Sequence, residues 1–301
     1  PELKDMESRV LSAQERSVSL ELELFYKVRD LVARKAGAIQ ERATALAELD
    51  VLISLATSAK ENNMIRPEFN QEGRISIRSS RHPVLDKAMR GAFVPNDVLL
   101  DTDRNRLIIL TGPNMAGKST FMRQIALTAI MAQTGSFVPA AYASLSLVDQ
   151  VFTRVGAYDD LSAGQSTFMV EMTEIAHILT SATRKSLVLL DEVGRGTSTF
   201  DGLSLAWAIS EYLHESIKCK SVFATHYHQL TDLESILSGV RNYSIAVKED
   251  KGTITFLRTV VPGATDKSYG VHVARLAGVP RTVTKRADQI LREIEKEALM
   301  Q

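Results

Sequence analysis

The sequence predicts an α/β domain with a mixed sheet and crossover helices, preceded by a long helical arm and followed by a helix–turn–helix. Three observations lead to that prediction. Through the middle of the chain, apolar strand-like runs alternate with helical stretches, the pattern of strand–helix crossovers. A Gly-x-x-x-x-Gly-Lys-Ser loop, Gly112–Ser119, joins one such strand to one such helix. At both ends of the chain the apolar periodicity is helical only.

From Glu2 to Arg66 there is no proline and one glycine, Gly37. Apolar residues recur at helical spacing, as in Leu24, Val28 and Leu31 and again in Ala43, Leu46, Leu49 and Leu52. This predicts one or two long helices acting as an arm, since about 30 helical residues span roughly 45 Å. The chain starts inside this pattern, so a fragment of a larger protein is expected. Pro67 closes the region, which gives segments 1–66, 67–267 and 268–301. Strands are expected at Arg74–Arg78, Val98–Leu100, Arg106–Leu110, Ser144–Val155, Ser186–Leu190 and Ser221–Ala224. Two more, Asn242–Val247 and Thr253–Val261, flank the charged stretch Lys248–Gly252 and read as a hairpin. Helices are expected from Thr120 onward, over Met169–Leu179 and over Leu203–Leu213. Toward the end, Gly270–Ala277, a turn at 278–280 and Arg281–Leu299 read as helix, turn, helix.

Composition narrows the function classes. At 45% hydrophobic and 24% charged residues the chain can bury a substantial core. Acidic and basic residues number 36 each, which excludes gripping nucleic acid by net charge alone while leaving room for a local patch. With Cys219 the single cysteine, a disulfide framework or a cysteine-rich zinc site within one chain is excluded, and a reducing interior fits. No stretch reads as a signal peptide or a bilayer span, so a cytoplasmic protein without membrane partners is expected.

The chemistry centres on Gly112, Pro113, Asn114, Met115, Ala116, Gly117, Lys118, Ser119 and Thr120, set behind the apolar run Leu107–Leu110. Glycines at this spacing let backbone N–H groups close around phosphate oxygens, Lys118 can reach the outer phosphates, and the Ser119 hydroxyl can ligate Mg²⁺. The helix that follows would point its N-terminus at the same anion. These features make ATP and Mg²⁺ the expected ligands. A second apolar strand, Ser186–Leu190, ends in Asp191 and Glu192. Asp191 is expected to hold Mg²⁺ opposite Ser119, and Glu192 to orient and deprotonate the attacking water. A third, Ser221–Ala224, leads to His226, at the strand end where ligands sit in open α/β sheets; it could sense the terminal phosphate or position water. Isolated histidines after strands are more often satisfied turn residues, so this assignment leans on the other two strand ends.

Two further polar stretches, Asp159–Phe168 and Gly194–Gly202, each enter a helix with hydroxyl residues and free N–H groups. One site cannot readily use three helix starts. A facing subunit could use the surplus, with Ser166 reaching across a dimer to the partner's terminal phosphate.

The stretches Phe93–Asp97, Thr111–Thr120, Thr153–Ala157, Ser166–Met172, Leu189–Thr197 and Lys267–Gly270 together resemble the MutS family of DNA mismatch repair ATPases. The resemblance spans nearly the whole chain. It implies an ABC-type ATPase domain, with the N-terminal helices as the returning half of a lever arm. It further implies that Gly164, Ser166 and Thr167 act in trans across a composite dimer interface, and that the C-terminal helical pair helps to dimerise. Its adenine pocket would include Phe93 and Val94, with Asn96 nearby, while Arg258 stands where some members have histidine. The implied partners are a second copy or a family heterodimer partner, mismatched double-stranded DNA bound through domains this chain lacks, and downstream repair factors. The function expected from this is Mg²⁺-dependent ATP hydrolysis coupled to mismatch binding and release. The alternative is a nucleotide-gated dimerisation switch with negligible turnover in this truncated form.

Overall fold

The computed structural model describes residues 2–154, 166–250, 253–265 and 269–298. Helix α1 runs unbroken over Glu2–Glu61. Residues 1–57 form one unit and 58–301 another. In the first unit nearly every side chain is exposed, large apolar ones such as Leu22, Phe25, Leu31 and Leu52 included. Proline is absent, so nothing breaks the hydrogen-bond ladder, and Gly37 costs only about 1 kcal/mol relative to alanine. An i,i+4 ion pair between Glu23 and Lys27 and the Arg29 guanidinium 4.6 Å from the Tyr26 ring add small local support.

The second unit begins with the last turn of that helix. Ala59 is buried, Asn62 donates its side-chain amide to the Ser58 carbonyl at 2.8 Å, and Asn63 takes a left-handed conformation that ends the helix. Two sheets follow. The smaller has the order β1 (Glu68–Asn70), β5 (Tyr142–Ser146), β2 (Ile75–Ser80), β3 (Asn96–Leu100). The larger has the order β10 (Thr253–Pro262), β9 (Val240–Asp250), β4 (Leu107–Thr111), β8 (Lys220–Ala224), β7 (Leu187–Asp191), β6 (Val151–Arg154). Its strands are parallel from β9 to β6, and only β10 is antiparallel. The expected hairpin is therefore present, with β9 extending to Asp250.

Two sequence expectations are corrected. A single sheet was expected, and there are two. The single strand expected over Ser144–Val155 is two strands in different sheets, β5 and β6. The turn between them carries Asp149, whose carboxylate accepts from the hydroxyls of Ser186 (2.8 Å) and Thr183. Apolar residues continue through the corner at Leu147, Val148 and Val151, which hid it: β5 is mostly buried and β6 partly so.

Both faces of the parallel sheet are covered, which explains why its strands read as continuous apolar runs. Ile108, Leu110, Leu187, Leu189 and Val222 face one side, together with Phe121, Met122 and Ile125 of helix α3 (Lys118–Gln133) and Ile75, Ile77 and Leu100 of the smaller sheet. Leu107, Ile109, Val188, Leu190 and Phe223 face the other, against Ile175 and Ile178 of α4 (Thr167–Ser181) and Ala206 and Ile209 of α5 (Thr199–Glu211). Helix α3 is thus held between the two sheets, which fixes the loop at its start.

Short elements escaped the sequence reading: α2 (Pro83–Ala88), a 3₁₀ turn (His228–Asp232) and α6 (Leu233–Ile236). After the sheet come α7 (Gly270–Leu276) and α8 (Arg281–Ala298), on the expected side of the 278–280 turn, with Arg275 and Asp288 joined at 2.7 Å.

Candidate active site

Strand order brings the candidate residues together. Strand β8 lies between β4 and β7, and Leu110, Ala224 and Asp191 stand side by side in register. The three strand ends therefore share one edge of the sheet. The ladder continues past them: the Glu192 amide donates to the Ala224 carbonyl (2.8 Å) and the Thr225 amide to the Leu110 carbonyl (3.0 Å).

The loop 112–117 leaves β4 through Gly112 at φ 135°, where a Cβ would press on Ile245 at 3.2 Å. It enters α3 through Gly117 at φ 114°, a conformation that favours glycine. Between them Met115 also has positive φ and is exposed. Lys118 is buried and folds back over the loop, donating to the Gly112 carbonyl at 2.7 Å and the Pro113 carbonyl at 3.3 Å. Burial pushes its ammonium pKa down, and the neighbouring carboxylates of Glu192 and Asp191 draw it back up.

Asp191 is half-buried. Burial raises its carboxyl pKa, the Ser119 hydroxyl beside it draws it down, and the Glu192 charge pushes it up again. Its Oδ1 is buried and lacks a hydrogen-bond partner among the described residues. An orphaned carboxylate oxygen next to a hydroxyl is a hard-oxygen donor pair suited to Mg²⁺, which takes few protein ligands and fills its shell with water and phosphate oxygens. No cluster of three or more His, Cys, Asp or Glu able to hold a metal occurs among the described residues.

Glu192 sits at φ 58°, a left-handed conformation that turns the chain sharply after the strand. Its carboxylate lies 2.5 Å from the Arg195 guanidinium and 3.7 Å from the Lys118 ammonium. The following loop is clamped at Gly194. Its amide donates to the buried Glu171 carboxylate of α4 at 2.5 Å, and its carbonyl accepts from the Tyr227 hydroxyl at 3.0 Å. Gly196 lies against Phe168 of α4, where a Cβ would come within 2.8 Å of the Phe168 Cβ. Sequence reading assigned no role to Glu171 or Tyr227. The signal was available in part, since a glutamate on the apolar face of a helix requires a partner.

His226 follows β8 with its ring 4.3 Å from that of Tyr227. One side is open to solvent, yet the protein behind it and the cations Arg195, Lys118 and His228 push its pKa down to about 4. The imidazole is thus neutral at physiological pH, an acceptor or donor rather than a cation. Tyr269, before α7, borders a cavity shared with Gly112, Asn114 and His226.

Two further cavities meet at the loop. A polar one of about 300 Å³ is lined by Asn114, Lys118, Ser119 and Glu192. A mainly apolar one of about 260 Å³ lies between α2, β10 and the start of α3, and includes Phe93, Val94 and Asn96. Met115, Gly117 and Thr120 line both. The Asn96 amide is already committed: its nitrogen donates to the Arg258 carbonyl (3.0 Å) and its oxygen accepts the Val260 amide (2.7 Å). It thereby fixes the bulge of β10 that sets Arg258 at φ 58°.

Ser166 caps α4, its hydroxyl accepting the Met169 amide at 3.2 Å. Neither Ser166 nor Thr167 lines the cavities at the loop. Gly164, Lys267 and Ser268 lie outside the described residues.

A Gly-x-x-x-x-Gly-Lys-Ser loop between a central strand and a helix, with two acidic residues at the end of the next strand but one, marks a mixed α/β domain that carries a phosphate-loop sequence. The family model for MutS domain V matches residues 108–295, and the chain belongs to the MutS family. It is 61% identical over 300 residues to the DNA mismatch repair protein MutS of Methanothrix thermoacetophila, covering 100% of this chain and 35% of that protein. The protein of the same name from Symbiobacterium thermophilum is 57% identical over 298 residues, 99% of this chain and 34% of its own length. The one from Clostridium botulinum strain Okra is 54% identical over 298 residues, 98% of this chain and 32% of its own length. The chain thus spans about a third of the length of these relatives. Among the described residues no helix is long and apolar enough to cross a membrane.

Proposed function

We propose that this chain is the ATP-binding and hydrolysing part of a mismatch repair protein, coupling nucleotide state to the binding and release of mismatched DNA in the intact molecule. The observation behind this reading is the joined pair of cavities, apolar for a base and polar for phosphates, that meet at the Gly112–Thr120 loop with Glu192 beside Lys118.

Lys118 is poised to exchange the Gly112 and Pro113 carbonyls for phosphate oxygens, and the loop amides and the α3 N-terminus add donors. Ser119 and Asp191 are the residues that would hold Mg²⁺. A cation held there would supply positive charge against the negative charge that develops on the phosphates. Glu192 orients the attacking water and takes its proton, and neutral His226 holds that water or the terminal phosphate by a hydrogen bond. Stabilisation of developing charge falls to Lys118 and, across a dimer, to Ser166 and Thr167, with Gly164, of a second copy or of a family heterodimer partner. The segments 1–66, 67–267 and 268–301 serve as lever-arm portion, ABC-type ATPase domain and dimerising helix–turn–helix. The exposed apolar residues along α1 suit an element that packs on parts of the protein beyond this chain. Mismatched DNA and downstream repair factors engage through those other parts, in the cytoplasm.

A second reading, a nucleotide-gated dimerisation switch with negligible turnover, draws on one observation: Glu192 is held by Arg195 at 2.5 Å. The rate of ATP hydrolysis against protein concentration, for this chain and for Glu192→Gln, separates the two. A rate per chain that climbs with concentration and vanishes in the variant supports the composite ATPase. Nucleotide binding without turnover in either protein supports the switch, and absence of binding overturns both.

A further inference from the structure

One buried side chain touches both of the segments that carry the residues placed around the attacking water. Tyr227 is the third residue after β8, and its amide donates to the Thr225 hydroxyl at 2.9 Å. Its ring lies 4.3 Å from the ring of His226, tilted by 37°. Its hydroxyl crosses to the neighbouring strand end and donates to the Gly194 carbonyl at 3.0 Å, two residues after Glu192. Gly202, at the start of α5, leaves the room for that hydroxyl, since a Cβ there would strike it. Gly194 is thereby held at both ends, its amide by Glu171 and its carbonyl by Tyr227, in the positive-φ conformation of 90°. Packing against the core does not call for this hydroxyl, because a phenylalanine ring would fill the same space. A buried hydroxyl is costly unless it is bonded, so its contribution here is the bond it makes.

We propose that Tyr227 is a positioning residue for hydrolysis: it joins the turn carrying His226 to the loop carrying Glu192 and so sets the spacing of the two. This rests on the reading of the site as an ATPase. The hydrogen bonds of Tyr227 go to Thr225 and Gly194, not to the Gly112–Thr120 loop that would hold the phosphates. Its loss should therefore act on rate and spare affinity. Water must be held in line with the bond that breaks, and a shift of about 1 Å in a group that orients a reactant can cost on the order of a hundredfold.

The test compares the 301-residue chain with Tyr227→Phe, which removes the hydroxyl and keeps the ring. ATP binding at equilibrium and single-turnover hydrolysis with Mg²⁺ are measured at a temperature where circular dichroism shows each protein folded. Tyr227→Phe is expected to bind ATP within about twofold of wild type and to hydrolyse it about tenfold more slowly or worse. Added to Glu192→Gln it should slow the residual rate no further, because a residue acting through Glu192 then has nothing left to position. Ser210→Ala deletes another buried hydroxyl of the same region, one that donates to the Ala206 carbonyl at 2.7 Å within α5, and should hydrolyse as wild type does. A wild-type rate in Tyr227→Phe overturns the proposal and leaves the ATPase reading standing. So does a loss of affinity equal to the loss of rate, or a further loss on top of Glu192→Gln. Should Tyr227→Phe not fold, Gly202→Ala displaces the hydroxyl from the other side, and wild-type turnover in that variant sinks the proposal. Absence of hydrolysis in wild type overturns the ATPase reading itself and takes the proposal with it.

Discussion

The buried carboxylate of Glu171 accepts the Gly194 amide at 2.5 Å, so helix α4 is tied directly to the loop that carries Glu192. The end of that helix presents Ser166, the residue assigned to a neighbouring subunit's phosphates. On the proposed reading, a contact at Ser166 would fall five residues along α4 from Glu171, whose partner Gly194 is two residues after Glu192.

Glu171→Ala is expected to destabilise the chain by about 1–3 kcal/mol, because it leaves the Gly194 amide buried without an acceptor. Glu171→Gln keeps an acceptor and should cost less. Urea denaturation of the three proteins checks the order; equal stability of alanine and wild type would remove the clamp from the account.

Glu192→Gln should retain nucleotide affinity while turnover falls about 10²–10⁴-fold, the usual scale for loss of a general base. Single-turnover hydrolysis beside a binding titration separates the two effects. Arg195→Ala releases the 2.5 Å contact on the Glu192 carboxylate and should shift the steepness of the concentration dependence rather than abolish hydrolysis.

His226 should titrate near pH 4 rather than near 6.5, observed by the chemical shifts of its ring in an NMR titration. Because its folded pKa lies below the unfolded value, the unfolded chain takes up more protons between these values. Stability from this group is thus fully present above about pH 6.5 and is lost as pH falls toward 4. Bound triphosphate would bring negative charge against the cations that depress it, so the midpoint should rise on adding nucleotide. A midpoint of 6.5 that nucleotide leaves unchanged would place the ring away from the site.

Arg81 donates to Asp86 of α2 at 2.9 Å and to the Asn63 carbonyl past the end of α1 at 2.7 Å. Leu85 and Met89, on and just after the same short helix, line the apolar cavity. Arg81→Ala should raise amide hydrogen exchange over residues 58–66 and 83–89, and nucleotide should protect both stretches in wild type but only the second in the variant.

The phosphate loop, the paired carboxylates and the long first helix were legible in the sequence because each has a local signature: glycines at fixed spacing, a strand running into two acids, sixty residues without proline. The division into two sheets was not, since apolar residues run on from β5 into β6 and only the Asp149 corner parts them. Short α2 also escaped notice, as its start depends on His82 accepting the Leu85 amide at 3.4 Å and not on any apolar period. Asn96 was expected near the base, and its place in the cavity wall agrees, but its amide serves the β10 bulge through contacts 162 and 164 residues away in sequence.

Gly194 and Gly202 face each other across the turn that leads from Glu192 into α5. A Cβ on Gly194 would come within 2.7 Å of the Gly202 Cα, and one on Gly202 would strike the Gly194 carbonyl and the Tyr227 hydroxyl. Each glycine is thus the other's obstacle. No single replacement at either position can be relieved by a smaller neighbour, because the neighbour is already the smallest residue there is. A methyl group at either position therefore forces the backbone of this turn to move, and with it Glu192 on one side and the start of α5 on the other.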